Sequence, residues 1–566
     1  MKSQRDWSPA GRGAIAGLLS GAVAVGAGQL VAGITGAGGS PVVAVGQLQI
    51  DFTPPALKNF AISAFGSHDK LVLVGGILVV LAVFAVILGI LAMRKLAYGL
   101  AGLALFAAIG VVAAATRPAA TAADVLPTLA AAAAGTAALV ILIRAARAAA
   151  PQSSLDQAQA AGKTAAGRGR LPARAASARA PSPAAAAPPP AALAPSGAPG
   201  SAAARPPGGP PQPGRRRFLV VSAAAAGTAA AGVLGGRVLT QRSSVAGARA
   251  ALRLPAPAHP AAPLPAGVDL GVPGLGPFIT PNGAFYRVDT AIVLPQVAPG
   301  SWTLRIHGMV AREIHIGFAD LIRRPLTEDF ITLCCVSNPV GGPYISNAKW
   351  LGASLAGLLR RAGIRAAASQ LLCTSTDGFT SGVPIQAVMD GRDALLAVAM
   401  NGAPLPVAHG FPVRMVVPGL YGYVSACKWL TDIEVTTYQD ATAYWVPRGW
   451  AAQAPIKTES RIDVPNASAP LAAGPTQVAG VAWAQHKGIE AVEVRADRGP
   501  WHQARLAAVP GIDTWRQWVW DWHATPGTHL LQARATDSTG YTQTPTQAPP
   551  EPNGATGYPS VTVTVT

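Results

Sequence analysis

The sequence predicts a multi-domain chain: an N-terminal all-α transmembrane bundle, then an α+β domain, then a C-terminal β-sandwich. Three observations carry that prediction. Four long apolar runs crowd the first 150 residues, a low-complexity Ala/Pro/Arg tract follows them, and beyond about residue 277 the pattern turns to short strands and helices bounded by turn residues. Composition agrees: of 566 residues 50% are hydrophobic and only 12% charged, with 62 Gly and 51 Pro, which no single soluble core accounts for.

Residues 1–147 hold the apolar runs 14–34, 71–93, 96–115 and 125–143, each long enough to cross about 30 Å of hydrocarbon. A fifth, Ala/Gly-rich run covers 218–239 after three arginines. Basic residues set the orientation. Lys2, Arg5 and Arg12 precede the first run, Arg94 and Lys95 separate the second and third, and 144–217 carries eleven Lys or Arg against Asp156 alone. The loop 35–70 instead balances Lys58 and Lys70 against Asp51 and Asp69, and 116–124 has only Arg117 and Asp124. With a cytoplasmic N-terminus every basic segment falls on one side, so the chain reads as a multi-pass cell-membrane protein. Five crossings then put everything beyond about residue 240 outside the cytoplasm. Gly13, Gly17 and Gly21 recur at four-residue spacing, which serves close helix packing within the chain or between copies. No histidine lies inside an apolar run, which argues against a haem held in the bundle. The net charge of +18 sits largely in the juxtamembrane segments and in the disordered basic linker 148–217. That linker has no interleaved aromatics, so nucleic-acid binding is not expected.

Gly214-Arg215-Arg216-Arg217-Phe218-Leu219 before an Ala/Gly-rich run resembles a twin-arginine export signal, although it sits internally; the alternative is a charge anchor for the fifth helix. Ala246-x-Ala248 beyond it could permit cleavage. Residues 240–276 read as an extended Pro/Ala spacer, with order expected from near Pro277.

In the domain 277–445, strand-like runs at 302–306 and 330–333 mix with helix candidates at 318–323 and 354–362, without a regular βαβ alternation. No GxGxxG follows a strand, which excludes the usual nicotinamide fingerprint. The four cysteines, Cys334, Cys335, Cys373 and Cys427, form no C-x-x-C spacing. Cys334 and Cys335 are adjacent on a strand and point to opposite faces, so they cannot easily bond each other. A thiol at the end of an apolar strand, before a turn of Ser, Asn, Pro and Gly, presents one sulfur to a metal or a substrate.

Three segments sharpen this: ITLCCVSNPVGGPYISNAKW (331–350), HGFPVR (409–414) and GLYGYVSACKW (419–429). Together they resemble the sulfite oxidase family, whose pattern is Leu-x-Cys-x-x-Asn, then His-Gly-x-Pro-x-Arg, then a Lys-Trp pair. The resemblance runs from about residue 277 to the C-terminus. It implies a sulfite oxidase-type molybdopterin domain with Mo-molybdopterin as cofactor, and Cys335 as the molybdenum ligand, since Val336-Ser337-Asn338 follow it. It also implies that His409, Arg414, Lys428 and Asp377, with Asn338 and Ser425, cradle the cofactor, and that Tyr286, Arg287, Asp289 and Thr290 form its first loop, a looser match. A phosphate-bearing cofactor needs such cations and fixed polar groups.

The sequence departs from the family after Asn338, where Pro339-Val340-Gly341-Gly342 stand in place of an anion-binding arginine, and at Ala484-Gln485-His486-Lys487, in place of a Gly-rich segment ending in Arg. A dianion such as sulfite would be held less well. Lys349, His486 and Lys487 are candidates to compensate.

Residues 446–566 read as short strands at 478–483, 489–496, 516–522, 528–536 and 560–566, separated by turn signals. They resemble the family's immunoglobulin-like dimerisation domain, which admits a homodimer. Trp501, Trp515, Trp518, Trp520 and Trp522 read as core or interface anchors. The expected activity is two-electron oxygen-atom transfer on a small-molecule substrate, with single electrons exchanged with a separate electron-transfer protein or membrane redox partner. An S- or N-oxide reductase on the same centre, or a non-catalytic membrane-anchored binding scaffold, are the alternatives.

Overall fold

The computed structural model describes residues 8–36, 39–54, 69–117, 120–149, 213–466 and 470–566. Most of the expected linker 148–217 lies outside the described residues. Among the described residues the N-terminal region holds six α-helices: α1 Pro9–Thr35, α2 Pro41–Phe52, α3 Asp69–Arg94, α4 Leu96–Ala115, α5 Leu126–Ala148 and α6 Pro213–Arg242. All but α2 are long and apolar enough to cross a membrane. Val79, Leu105 and Val220 are 64%, 62% and 61% exposed on their helices, as lipid-facing side chains would be. Helix α2 falls in the stretch read from sequence as a plain loop. Pro41 opens it, where a missing N–H costs nothing.

The chain divides into two compact units, one of residues 1–23, 82–103 and 134–229 and the other of 24–81, 104–133 and 230–566. Helices α1, α4 and α6 therefore begin in the first unit and end in the second, while α3 and α5 run the other way. Arg12, Arg94, Lys95, Arg147 and Arg215 to Arg217 all fall in the first unit. Within it, a Cβ at Gly17 would meet the Ala85 carbonyl oxygen at 1.9 Å, and one at Gly89 would meet that of Gly13 at 2.1 Å. The glycine stripe thus lets α1 and α3 touch backbone to backbone.

The sheets belong to the second unit. Strands β1 Thr303–Gly308, β2 Ile314–Gly317, β5 Gln370–Ser375, β6 Thr380–Pro384 and β10 Leu430–Thr436 form one sheet, in the order β2-β1-β10-β5-β6. Strands β3 Leu326–Cys334, β4 Ile345–Ser354, β7 Leu395–Met400, β8 Ala403–Pro404 and β9 Arg414–Val416 form the other, ordered β3-β4-β7-β8 with β9 also on β7. All pairs are antiparallel except β1 with β10. Every residue of β7, LLAVAM, is buried, as a strand covered on both faces must be. The amphipathic helix expected at 354–362 spans Leu355–Ala362, capped by the Ser354 hydroxyl, which accepts from Gly357 N at 3.1 Å, and closed by Gly363 at φ 72°.

Order begins well before Pro277. The Pro/Ala stretch forms a short helix at Ala246–Ala251 and then an arm against the edge of β3, where Ala258 N and His259 N donate to Leu326 O and Glu328 N donates to His259 O. Val268, Val272 and Phe278 are buried. Prolines erase helix and strand periodicity in a sequence without preventing an extended arm from pairing with an edge.

The C-terminal part packs two antiparallel four-stranded sheets. One holds β11 Glu459–Val464, β12 Gly474–Trp483, β16 Arg516–Ala524 and β15 Arg505–Leu506; the other holds β14 His502–Gln503, β13 Ile489–Ala496, β17 Gly527–Asp537 and β18 Ser560–Val565. Trp515, Trp518 and Trp522 are buried, while Trp501 lies between the Arg495 and Arg534 guanidinium groups, each 4.4 Å from its ring. This part is bound to the edge of β3 through Thr332. Thr332 N donates to Asp513 O, its Oγ1 accepts from Trp515 N at 2.8 Å, and its carbonyl accepts from Gln485 Nε2 at 3.1 Å.

Glu459 on β11 is only 3% exposed, and burial, opposed by Lys457, pushes its carboxyl up to about 8. A folded-state pKa raised above the unfolded value gives stability that is complete below the unfolded pKa and is lost as pH rises through the folded one. Thermal unfolding of the membrane-extracted protein is therefore expected to weaken between about pH 5 and pH 8, with Glu459→Gln flattening much of that slope. Asp329, pushed up to about 7 by burial, carries part of the remainder with the same sign. A wild-type slope that Glu459→Gln leaves unchanged would contradict this.

Candidate active site

The cysteine turn is built from its own backbone. Cys335 follows the last residue of β3, its N–H donates to Tyr344 O at 2.9 Å, and Asn338 Oδ1 accepts from Tyr344 N at 2.8 Å, which closes the loop. Cys335 Sγ lies 3.0 Å from Ser337 Oγ. Burial pushes the Cys335 thiol up, against that hydroxyl and the charge of Lys428, so a bound cation is what would bring out the thiolate. Cys334 belongs to the main hydrophobic core, and all four cysteines are free and buried.

A wall of rings stands beside the turn. Phe285 stacks on Tyr286 with centroids 5.4 Å apart and meets Trp350 and His409 edge-on at 5.7 and 5.4 Å. Burial holds the Tyr286 phenol well above its ordinary range, and Cys335 and Cys334 add to the effect. Arg414 opens β9, so its guanidinium is buried; it sits 5.1 Å over the Trp350 ring and donates to His409 O and Ala426 O at 3.2 Å each. The glycine of HGFPVR has a steric cause. Gly410 has φ 104°, and a Cβ there would sit 2.9 Å from Arg414 Cβ and 3.1 Å from Lys428 Cβ.

Charge gathers at Asp289. Lys428 Nζ approaches its Oδ2 to 2.9 Å, Arg287 Nε reaches the same oxygen at 2.9 Å, and Lys70 pairs with Oδ1. Burial alone would raise this carboxyl, but Lys428, Lys70 and Arg287 outweigh it and hold it well below the carboxylate range. Burial, with Arg414 nearby, lowers the Lys428 ammonium to about 8 even against Asp289. His409 is held neutral, lowered to about 3 by burial first and then by Lys428 and Arg414.

The structure thus joins Arg287, Asp289 and Lys428 by ion pairs and Tyr286, His409 and Arg414 through the rings of Phe285 and Trp350, with Cys335 in the field of Lys428 and Tyr286. Thr290 and Asp377 line one cleft with Gly378 and Phe379, and Asp377 Oδ1 accepts from Phe379 N at 3.2 Å. The Ser425 hydroxyl is wholly buried and lies within 3.2 Å of Leu420 O and Tyr421 O, to which it can donate. The three candidates for a compensating anion pocket are occupied as well, Lys349 by Glu328, His486 by Asp513 and Lys487 by Asp537. Sequence reasoning missed Lys70, which it counted only as loop charge, and the rings of Phe285 and Trp350, which look like any core aromatics.

Two features fit a polar cofactor here. Asn338 Nδ2 and His409 Nδ1 are buried with no partner among the described residues, as donors or acceptors kept for a ligand would be. Among those residues no cluster of His, Cys, Asp or Glu could hold a metal ion alone, so a metal at Cys335 would arrive with ligands of its own.

These features define a molybdopterin-binding oxidoreductase domain, and residues 291–445 match the family described as "Oxidoreductase molybdopterin binding domain". The chain belongs to the sulfite oxidase family: it is 31% identical to sulfite oxidase of Gallus gallus over 325 residues, 48% of this chain and 69% of that protein. It is 28% identical to mitochondrial sulfite oxidase of Mus musculus, covering 43% of this chain and 52% of the relative, and so spans about half of that protein. It is also similar, at 31% identity over 26% of this chain and 72% of the relative, to the uncharacterized oxidoreductase YuiH of Bacillus subtilis. The cofactor is accordingly Mo-molybdopterin and the enzyme class a molybdenum oxidoreductase.

Proposed function

We propose that this chain is a membrane-anchored oxidoreductase whose molybdopterin domain faces away from the cytoplasm and exchanges an oxygen atom with a small substrate in a two-electron step. One observation carries the reading: a buried thiol at the end of a braced strand lies in the field of a cation-rich cradle that has polar atoms to spare. When bound, the cofactor supplies the oxygen-atom and electron chemistry. The chain's own residues hold and orient it. Cys335 gives the single protein sulfur to the metal, Lys428 and Arg287 face anionic groups, Arg414 locks the His409 loop, neutral His409 offers a ring nitrogen, and Tyr286 keeps its phenolic proton. Thr290, Asn338 and Asp377 complete the polar lining, and Ser425 acts by fixing the turn at Leu420.

Sulfite itself is disfavoured as substrate. Pro339 to Gly342 bring no cation to the turn, and the nearby Arg461 is spent on Asp463 and, at 3.3 Å, on Gly342 O. A less charged substrate, including an S- or N-oxide reduced on the same centre, fits such a pocket better. Electrons then pass to a separate redox protein. The two C-terminal sheets support an immunoglobulin-like sandwich through which two copies pair. Molybdenum and pterin analysis of the purified protein tests the reading directly; absence of both would refute it.

The extracytoplasmic side is supported by the basic residues at 2–12, 94–95 and 144–217, which an odd number of crossings separates from the sheets. Reporter fusions after residues 150 and 566 are expected to give opposite sides. Arg215→Lys with Arg216→Lys keeps the charge that sets topology but removes the paired guanidinium groups that a twin-arginine receptor reads. The fusion at 566 is then expected to move to the cytoplasmic side while the one at 150 stays; if neither moves, the arginines are a charge anchor only.

A further inference from the structure

The carboxylate of Asp289 is shared with a residue that lies far away in sequence and belongs to the helical region. Lys70 stands in the first turn of α3, where its ammonium pairs with Asp289 and donates to Ala291 O at 2.7 Å. It does not reach this loop alone. A Cβ at Gly46 of α2 would sit 2.9 Å from Ile292 Cδ1, and Val43 and Gln47 line the same cleft as Thr290, Asp377 and Tyr444. A lysine that merely anchors a helix end extends its ammonium to water or headgroups. The side chain of Lys70 is 23% exposed, and its ammonium bonds to both a carboxylate and a carbonyl of this loop.

Lys70, Lys428 and Arg287 meet at one carboxylate, and Lys428 with Arg287 already outnumbers it, which leaves surplus positive charge in the cluster. Asp289 and Lys428 are the least exposed members, with side chains 8% and 12% exposed, and partly desolvated surplus charge favours an anion close by. We propose that Lys70, a residue of the membrane helices, is part of the cofactor site, completing with Lys428 and Arg287 the cation set that receives the anionic phosphate end of molybdopterin. This rests on the molybdopterin reading above. It makes the helical region one wall of the site rather than a tether.

The test uses the full chain purified from membranes, with Lys70→Met and Lys70→Arg compared with wild type for molybdenum and pterin per protein after washing in phosphate buffer. Lys70→Met is expected to retain about tenfold less and Lys70→Arg to match wild type. Equal retention in wild type and Lys70→Met overturns the assignment of Lys70 alone, whereas a wild type without molybdenum or pterin takes the cofactor reading down with it. Should Lys70→Met fail to insert, acetylation of wild-type lysines decides: Lys70 is expected to react several-fold more slowly in protein from molybdate-replete cells than from molybdate-starved cells, and equal rates overturn the proposal.

Discussion

Cys335→Ser is expected to leave a folded, membrane-inserted protein that has lost at least about 100-fold in activity and most of its molybdenum, because changes to groups behind a metal ligand already cost about 10–100-fold. Serine keeps the size of the side chain and can still bond to Ser337, so the backbone of the turn, closed by Tyr344 O and Asn338 Oδ1, has no reason to move. What disappears is a soft sulfur that deprotonates on metal binding; an alkoxide is far harder to form in the same buried place. Cys334→Ser is the matched control, since that thiol belongs to the core and not to the turn. Full activity in Cys335→Ser with near-stoichiometric molybdenum would sink the ligand assignment.

Asp289→Asn is expected to destabilise the protein by about 3 kcal/mol, or roughly 6–12 °C in melting temperature for a domain of this size. The change is nearly isosteric, so its cost is electrostatic: in protein free of cofactor, Lys428, 12% exposed, and Arg287 and Lys70 lose the carboxylate they share. The sign of the pH dependence follows. A carboxyl held below its unfolded range contributes stability that is present above the unfolded pKa and is lost as pH falls through the folded one, so wild type and variant converge only in strong acid. Differential scanning calorimetry at neutral and acid pH measures both effects. A neutral-pH melting point equal to wild type would mean that water, not Asp289, balances the three cations.

How far the sequence could be read depended on the range of each interaction. The apolar runs became α1, α3, α4, α5 and α6, and the amphipathic helix expected at 354–362 formed, because span length and periodicity are properties of a few consecutive residues. The turn after β3 is equally local, whereas the steric need for Gly410 comes partly from Lys428, 18 positions on. Lys70 was invisible as a partner of Asp289, since 219 positions separate them and nothing near Lys70 in the chain hints at a carboxylate. The arm at His259 was hidden for a related reason: its hydrogen bonds go to β3, and edge pairing leaves no periodic mark on the proline-rich side. Ser425 shows a further limit: a motif fixes where a hydroxyl stands but not which carbonyls it bonds, here those of Leu420 and Tyr421.

Thr332 gives the molecule a property that its linear order conceals. This residue lies on β3 three positions before Cys335, and its N–H, its carbonyl and its hydroxyl are all engaged by Asp513, Gln485 and Trp515 from the C-terminal part of the chain. A gene fragment stopping near residue 445 would keep every proposed cofactor contact yet expose an unfinished β edge beside the thiol proposed to bind the metal, and open edges recruit other strands. The segment 291–445 that the family match covers is thus not a unit of assembly by itself. Recombination that exchanged the sandwich for another module would have to supply a new clasp for Thr332, or yield a protein that aggregates through the strand that carries its chemistry.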